Sequence, residues 1–262
     1  SRWMSEARIS IAWVMMRTLR TSGAETLSAS ANIFVGQTEA PLVVRPFIGR
    51  MTQSELMTVM SGGFATVAGS VLGAYVGFLK DDIPNIAGHL LAASIMSAPA
   101  ALLFGKLMVP ETEEPETANA LHIEVEKESV NMVDAATVGA TMGVKLALNV
   151  GGMLIAFLAL IALADLILGV SANIFVDEVP EWWSVRGLLG YLFAPFAWLL
   201  GITDWNEAVM VGKLLGQKMV ANEFVAYLDL ASMQDLSPRS RLIAAYALCG
   251  FANFGSIGIQ IG

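Results

Sequence analysis

Three stretches of this chain, residues 56–79, 86–109 and 146–170, each exceed the roughly 20 predominantly apolar residues that a helix needs to cross a bilayer. The first of them contains no charged side chain at all. A fourth, 241–262, is apolar as well. Runs of this kind predict an all-α membrane protein with several spans. Composition points the same way: 55% of residues are hydrophobic, 15% are charged, and mean hydropathy is +0.63. An average soluble domain carries about 25% charged residues.

The charge that does exist is concentrated. Residues 110–128 hold seven glutamates and one lysine, which accounts for −6 of the net −8. With two prolines and little apolar content, this segment reads as a solvated acidic linker. What remains is nearly neutral and too apolar to present a soluble protein's surface to water. The chain has no basic stripe, so nucleic-acid binding is not expected. One cysteine, Cys249, excludes an internal disulfide framework and a four-cysteine zinc site. No His-Glu-x-x-His, Gly-x-Ser-x-Gly or Walker loop occurs, so no enzyme is expected. His89 falls near a predicted span end and His122 in the linker, and the 14 methionines read as flexible packing.

The chain opens at Ser1 without a methionine and stops at Gly262 inside an apolar run. It is therefore predicted to be a partial chain that lacks spans before Ser1. Residues 2–20 space Trp3, Ile9, Ile11, Trp13 and Met16 among four arginines, which suits an interfacial helix or the tail of a lost span. Counting lysine and arginine near span ends places Arg239, Arg241, Lys106 and most others on the cytoplasmic side, with Lys80 and Arg186 opposite.

Two further apolar regions, 29–48 and 185–227, are broken by proline, glycine and charge. Pro41 and Pro46 divide the first; Pro195 and Gly201 divide the second. Backbone that leaves the helix in a membrane must be buried in protein or line a wet cavity, so both regions read as re-entrant hairpins or discontinuous helices. Each half of the chain thus offers a broken region with an acidic residue beside Asn, Gln or Thr, followed by an apolar helix. Paired interruptions of this sort mark the midplane site of an inverted-repeat transporter, although polar breaks also occur in loops between ordinary spans.

Acidic groups within apolar segments cost roughly 2.5–3.5 kcal/mol on insertion scales, so they are candidate functional residues. Glu39 sits in Gly36-Gln37-Thr38-Glu39-Ala40-Pro41, where an amide, a hydroxyl and a carboxylate are grouped at a break. That set can read a polar heterocycle through paired donors and acceptors; a solvent-facing loop with a helix cap is the alternative. Glu223, in Asn222-Glu223-Phe224-Val225-Ala226-Tyr227, has no base nearer than Lys218. It suits sugar hydroxyls or a bound cation, or else a structural role paired with Lys218. Asn253 and Ser256 are three apart and share a face if helical, either as ligands or as helix-stitching groups. The small residues of 62–71 favour tight helix packing. A partly unwound turn there would instead present carbonyls and the Thr66 hydroxyl to a hard cation. Asp165, the remaining acid in 146–170, is assigned to packing or snorkelling.

Taken together, Gly36-Gln37-Thr38-Glu39-Ala40-Pro41, the stretch Gly216-Gln217-Lys218 through Tyr227, and Cys249-Gly250-Phe251-Ala252-Asn253-Phe254-Gly255-Ser256 resemble the concentrative nucleoside transporter family. The middle block is similar to that family's signature Gly/Ala-x-Lys-x-x-x-Asn-Glu-Phe-Val-Ala-aromatic. The order and spacing of all blocks agree, and the likeness runs over essentially the whole chain.

This resemblance implies a multi-span helical transporter with two re-entrant hairpins and an inverted-repeat-like transport domain. Such a protein imports nucleosides with a cation, most often sodium, by an elevator-type mechanism, and it assembles as a homotrimer in the plasma or bacterial inner membrane. No cofactor is implied beyond sodium as coupling ion. A proton-coupled symporter and a non-transporting nucleoside sensor are the alternatives. The implied organisation places the end of an upstream region at 1–26 and hairpin 1 with spans 4 and 5 at 27–109. The acidic linker follows at 110–143, scaffold span 6 at 144–170, and hairpin 2 with spans 7 and 8 at 171–262. Within these, hairpin 1 covers about 27–48, hairpin 2 about 185–216 and span 7 about 217–231.

By position, the resemblance assigns Gln37, Thr38, Glu39 and Val71 to the nucleobase, and Glu223, Asn253, Ser256 and Phe251 to the ribose. Sodium is assigned to Asn32, Val35, Thr66 and Val67, with Val35 and Val67 acting through their carbonyls. An apolar contact from Phe193 or Phe196 in hairpin 2 is also implied.

Overall fold

The computed structural model describes residues 21–34, 36–37, 39–67, 69–118, 131–172, 180 and 182–261. The expected interfacial helix at 2–20 and His122 lie outside them. The described residues form twelve helices and no strand: α1 (Gly23–Asn32), α2 (Glu39–Leu42), α3 (Arg45–Ile48), α4 (Gln53–Ala65), α5 (Gly69–Leu79) and α6 (Ile86–Met108), then α7 (Met132–Ala172), α8 (Val185–Leu199), α9 (Trp205–Val220), α10 (Glu223–Ser232), α11 (Pro238–Leu248) and α12 (Phe254–Ile261).

Both broken regions are folded back on themselves. In the first, α1 ends at Asn32 and the chain turns into the short α2 and α3. In the second, α8 and α9 form a close antiparallel pair. A Cβ on Gly212 would lie 2.8 Å from the Ala194 nitrogen, so only glycine lets the two backbones approach this closely. The turn between them uses Gly201 at φ 106°, a conformation that suits glycine because it has no Cβ. Pro195 does not divide this region as the sequence suggested. It lies inside an unbroken α8, which a membrane helix tolerates where neighbouring groups re-satisfy the freed carbonyl.

Three helices are interrupted instead. Residues 56–79 read as one continuous span, yet the structure divides them between α4 and α5. Thr66 is extended at φ −105°, ψ 154°, and the Phe34 carbonyl, at the tip of the first hairpin, would lie 2.7 Å from a Cβ on Gly69. The tip thus occupies the gap. Similarly, α9 runs past the expected boundary at 216 to Val220. The chain breaks at Ala221, and the Asn222 side chain accepts from the Val225 N–H to start α10. The last break, between α11 and α12, holds Gly250 at φ 102°. A Cβ there would stand 2.6 Å from the Phe64 carbonyl and 2.8 Å from that of Ala65, so this break lies directly on the end of α4.

An apolar core joins the two halves: Tyr75, Leu79 and Leu90 from α5 and α6 are buried with Leu214, Tyr227, Leu230 and Leu248 from α9, α10 and α11. Among the described residues, α6 is the one helix long and apolar enough to cross a membrane. The described apolar stretch of α7, Leu158–Ala172, is shorter. α7 as a whole begins well before residue 144, where the span was expected, and its 41 residues extend roughly 60 Å. Asp165 has a definite role in it: its carboxylate accepts from the Val185 N–H at 2.6 Å, capping α8.

The acidic segment is not wholly solvated. Ser22 with Glu25, and Thr52 with Glu55, form reciprocal capping boxes at the starts of α1 and α4, each satisfying two orphan donors. Thr117 of the linker joins the two, accepting from the Gly23 and Ala24 N–H groups and donating to Glu55. Lys106 sits between Glu25 and Glu111, and Arg50 pairs with Glu116. Burial alone would raise the Glu111 carboxyl, but hydrogen bonds from Lys106 and Thr52 hold it below the usual carboxylate range. Because Glu25 is fully buried, Lys106→Met would strand its charge, at a cost of about 3 kcal/mol. The melting temperature in detergent should fall by roughly 5–10 °C, and Lys106→Arg should restore most of it.

The charge-based orientation needs one correction. Arg241 pairs with Asp82 at 2.7 Å, so the start of α11 and the α5–α6 turn that carries Lys80 share one end of the molecule. That end is opposite Lys106, since α6 runs from the turn to Lys106. The tally places Arg239 and Arg241 opposite Lys80, and the structure puts the start of their helix at the same end as that turn.

Candidate functional site

Where the interrupted helices meet, several polar side chains are buried together. Glu223 is the first residue of α10 and 4% exposed. The helix's N-terminal partial positive charge favours an anion there. One carboxylate oxygen accepts from the Tyr75 hydroxyl at 3.1 Å and the other from the Asn253 amide at 3.3 Å. Lys218, the expected structural partner, turns elsewhere: its ammonium donates to the carbonyls of Ala247 and Cys249, each at 3.1 Å. It thereby satisfies the C-terminal end of α11.

Asn253 and Ser256 are not two positions on one helix face. Asn253 precedes α12 and its Oδ1 accepts from the Ser256 N–H at 2.8 Å, which makes it the cap of that helix. Capping turns its amide nitrogen toward Glu223. The Ser256 hydroxyl accepts from Gln37 Nε2 at 3.2 Å, and Gln37 Oε1 accepts from Gln260 Nε2 at 3.4 Å. A continuous chain therefore runs Tyr75–Glu223–Asn253–Ser256–Gln37–Gln260, drawing on α5, α10, α12 and the first hairpin. Residues 219 positions apart in sequence are hydrogen-bonded.

Of the other expected base-contacting residues, Val71 is half-buried and packs against the apolar core. Thr38 lies outside the described residues; Glu39 begins α2, but its side chain lies outside them too. Phe251 is half-buried in the bend before Asn253. Phe193 and Phe196 line an open cavity of about 460 Å³ with Lys218, Met219 and Ala252.

The residues expected to hold a cation are also brought together, Val35 excepted, which lies outside the described set. Asn32 is 2% exposed and its Oδ1 has no hydrogen-bond partner. Its Nδ2 would lie 3.5 Å from a Cβ on Gly62, so it faces the last turn of α4. Thr66 donates to the Gly62 carbonyl at 3.0 Å, which leaves its oxygen lone pairs free to accept. Val67 is fully buried in the break. A buried amide oxygen, a hydroxyl and carbonyls released from a helix form an all-oxygen donor set, the kind a hard cation prefers.

Tyr75 and Gln260 were missed at the sequence level. Tyr75 is fully buried and stacked on Tyr227, centroids 4.1 Å apart and planes 18° from parallel. Its only sequence signal was a phenol in an otherwise apolar run, one helical turn beyond Val71. Gln260 offered a lone amide in an apolar run. Tyr75→Phe keeps the stack and removes the donor, so a polar ligand that engages Glu223 should bind about tenfold more weakly while the melting temperature stays within a few degrees. Titration calorimetry and a melt on the same sample test this.

Comparison with known proteins decides the family. Residues 89–262 match the family model "Na+ dependent nucleoside transporter C-terminus", and residues 1–82 match one described as "Nucleoside recognition". The chain belongs to the sodium-dependent nucleoside transporter family. Its relatives include the uncharacterized transporter YutK of Bacillus subtilis, 46% identical over 95% of this chain and 60% of that protein. Solute carrier family 28 member 3 of Rattus norvegicus is 44% identical over 96% of this chain and 37% of its own length. The fold matches CNTnw in an inward-facing substrate-bound state, with TM-score 0.85 and 45% identity, covering 99% of this chain and 60% of that one. A CNTnw variant in an outward-facing state matches with TM-score 0.86. The chain thus spans about 60% or less of the length of these relatives. The family and its solved neighbours are transporters, not enzymes.

Proposed function

We propose that this chain carries the substrate and ion sites of a sodium-coupled nucleoside symporter in a cell membrane. The observation that carries the proposal is the buried chain from Glu223 to Gln37. It places a carboxylate, an amide and a hydroxyl on one side and a second amide on the other, at the meeting point of three interrupted helices. Glu223, Asn253 and Ser256 suit a ribose, whose vicinal hydroxyls both donate and accept. Gln37, with Thr38, Glu39 and Val71, suits the base, and Phe251 closes the sugar side. A nucleoside would exchange the internal hydrogen bonds for its own, so a sugar lacking a hydroxyl leaves a buried group unmatched.

Sodium fits the donor set of Asn32, Thr66, and the Val35 and Val67 carbonyls. The tip of the first hairpin abuts the gap between α4 and α5 through Phe34 and Gly69. A cation bound there would fix the tip that also carries Gln37, and this supports coupling of the two ligands through one element. The two hairpins and the interrupted helices, 27–109 and 171–262, act as the transport domain, 144–170 belongs to the scaffold, and the acidic linker at 110–143 connects the two. Since the site draws on both hairpin-bearing halves, which share one core, the domain moves as a unit in an elevator motion. α7 exposes Leu148, Ile155, Leu163 and Leu166, an apolar surface suited to lipid and to neighbouring subunits of a homotrimer.

The test is uptake of radiolabelled uridine and adenosine by the intact protein in liposomes, with sodium exchanged for potassium at constant pH. Saturable uptake that requires sodium supports the proposal. Uptake that follows a proton gradient without sodium would make it a proton-coupled carrier, and binding without counterflow would make it a sensor.

A further inference from the structure

Gln37 is 8% exposed and both ends of its amide are engaged. Its Nε2 donates to Ser256 and its Oε1 accepts from Gln260, which leaves one N–H and one lone pair for a ligand. Rotation of this amide by 180° would exchange those two and invert the pattern offered to a base edge. A flip of Gln37 alone would set its N–H groups against those of Gln260, so Gln260 opposes it. Gln260 reaches this position because residue 63 is glycine: a Cβ there would collide with the Gln260 amide nitrogen and lie 2.8 Å from its Cδ. The bare surface of α4 at Gly63 is therefore the seat on which the Gln260 side chain lies.

We propose that Gln260, admitted by Gly63, is a positioning residue that fixes the amide orientation of Gln37 and thereby sets which nucleobase edge the site prefers. This deepens the reading of Gln37 as a base-contacting residue and rests on it. Bases that present a carbonyl where others present an amino group, uracil against cytosine and hypoxanthine against adenine, are the pairs such an orientation separates. Gly63→Ala displaces the amide of Gln260 without altering either glutamine. Gln260→Met keeps the length of the side chain and removes its polar atoms, and Gln260→Glu offers an acceptor but no donor.

The experiment measures uptake efficiency of uridine, cytidine, inosine and adenosine by the intact protein in liposomes, for the wild type, these three variants and Gln37→Ala. The expected result is that the ratio between the best and worst members of each pair shrinks about three- to tenfold in the variants that assemble, with Gln37→Ala altering the same ratios. Equal loss for all four nucleosides would mean a packing role and overturn the proposal. So would unchanged ratios in the three variants while Gln37→Ala changes them, or a wild type that does not discriminate within either pair. Unchanged ratios in Gln37→Ala would instead remove Gln37 from the base and take this inference with it.

Discussion

Glu223→Gln should lower nucleoside uptake at least about a hundredfold without disturbing assembly. The carboxylate is an acceptor on both oxygens, and both known donors, Tyr75 and Asn253, aim at it. A glutamine keeps one carbonyl and turns its NH2 toward one of these donors, so a donor faces a donor in a buried place. Hydrogen bonds to a charged group contribute roughly 1.5–3 kcal/mol each. A bound sugar would meet the same mismatch in place of two charge-assisted bonds to its hydroxyls, which comes to about 3 kcal/mol, or two orders of magnitude. The same substitution leaves the apolar core of Tyr75, Tyr227 and Leu248 in place, so size-exclusion profiles should change little, while the buried mismatch should lower the melting temperature by several degrees. Uptake near the wild-type level would remove Glu223 from the substrate.

Asn32→Ala should raise the sodium concentration for half-maximal uptake at least about tenfold. Asn32 Oδ1 is buried without a partner, and such an atom costs about 1–3 kcal/mol unless something meets it. A cation ligand role accounts for this where packing does not, because an apolar residue would fill the same space without the penalty. If Asn32 were structural, alanine would relieve the unmatched oxygen and leave sodium dependence as it was. Titrating sodium at saturating nucleoside separates the outcomes: a right-shifted curve supports the ion site, and an unshifted one refutes it.

How far the fold was legible depended on the kind of break. Around Gly36–Pro41 and Asn222–Glu223, polar or helix-incompatible residues interrupt apolar runs, and the cost of burying them made the interruption readable. The break at Thr66 and Val67 carries neither proline nor charge. Thr66 and Gly69 look like ordinary small packing residues, and only the arrival of the Phe34 carbonyl from a distant hairpin explains why the helix gives way. Pro195 misled in the opposite direction, because a helix can tolerate a proline when tertiary neighbours satisfy the freed carbonyl.

The site divided along similar lines. Gln37, Glu223, Asn253 and Ser256 stood out as polar groups in apolar surroundings, and the structure brings these four together. That Asn253 caps α12 rather than lying within it was not visible, since capping depends on the backbone leaving the helix at Gly250. Tyr75 joins the network through one hydroxyl on a ring otherwise suited to core packing. The acidic segment read as solvated because Glu111, Glu116 and Thr117 find their partners about 60 to 90 residues away in sequence.

Nucleoside binding to the intact protein in detergent, measured by calorimetry with and without sodium and paired with sodium binding with and without nucleoside, tests the shared-element account most directly. If one hairpin tip serves both ligands, sodium must tighten nucleoside binding, and nucleoside must tighten sodium binding by the same factor. A factor of ten or more in both directions is the predicted result; nucleoside affinity that is identical in sodium and potassium would contradict it.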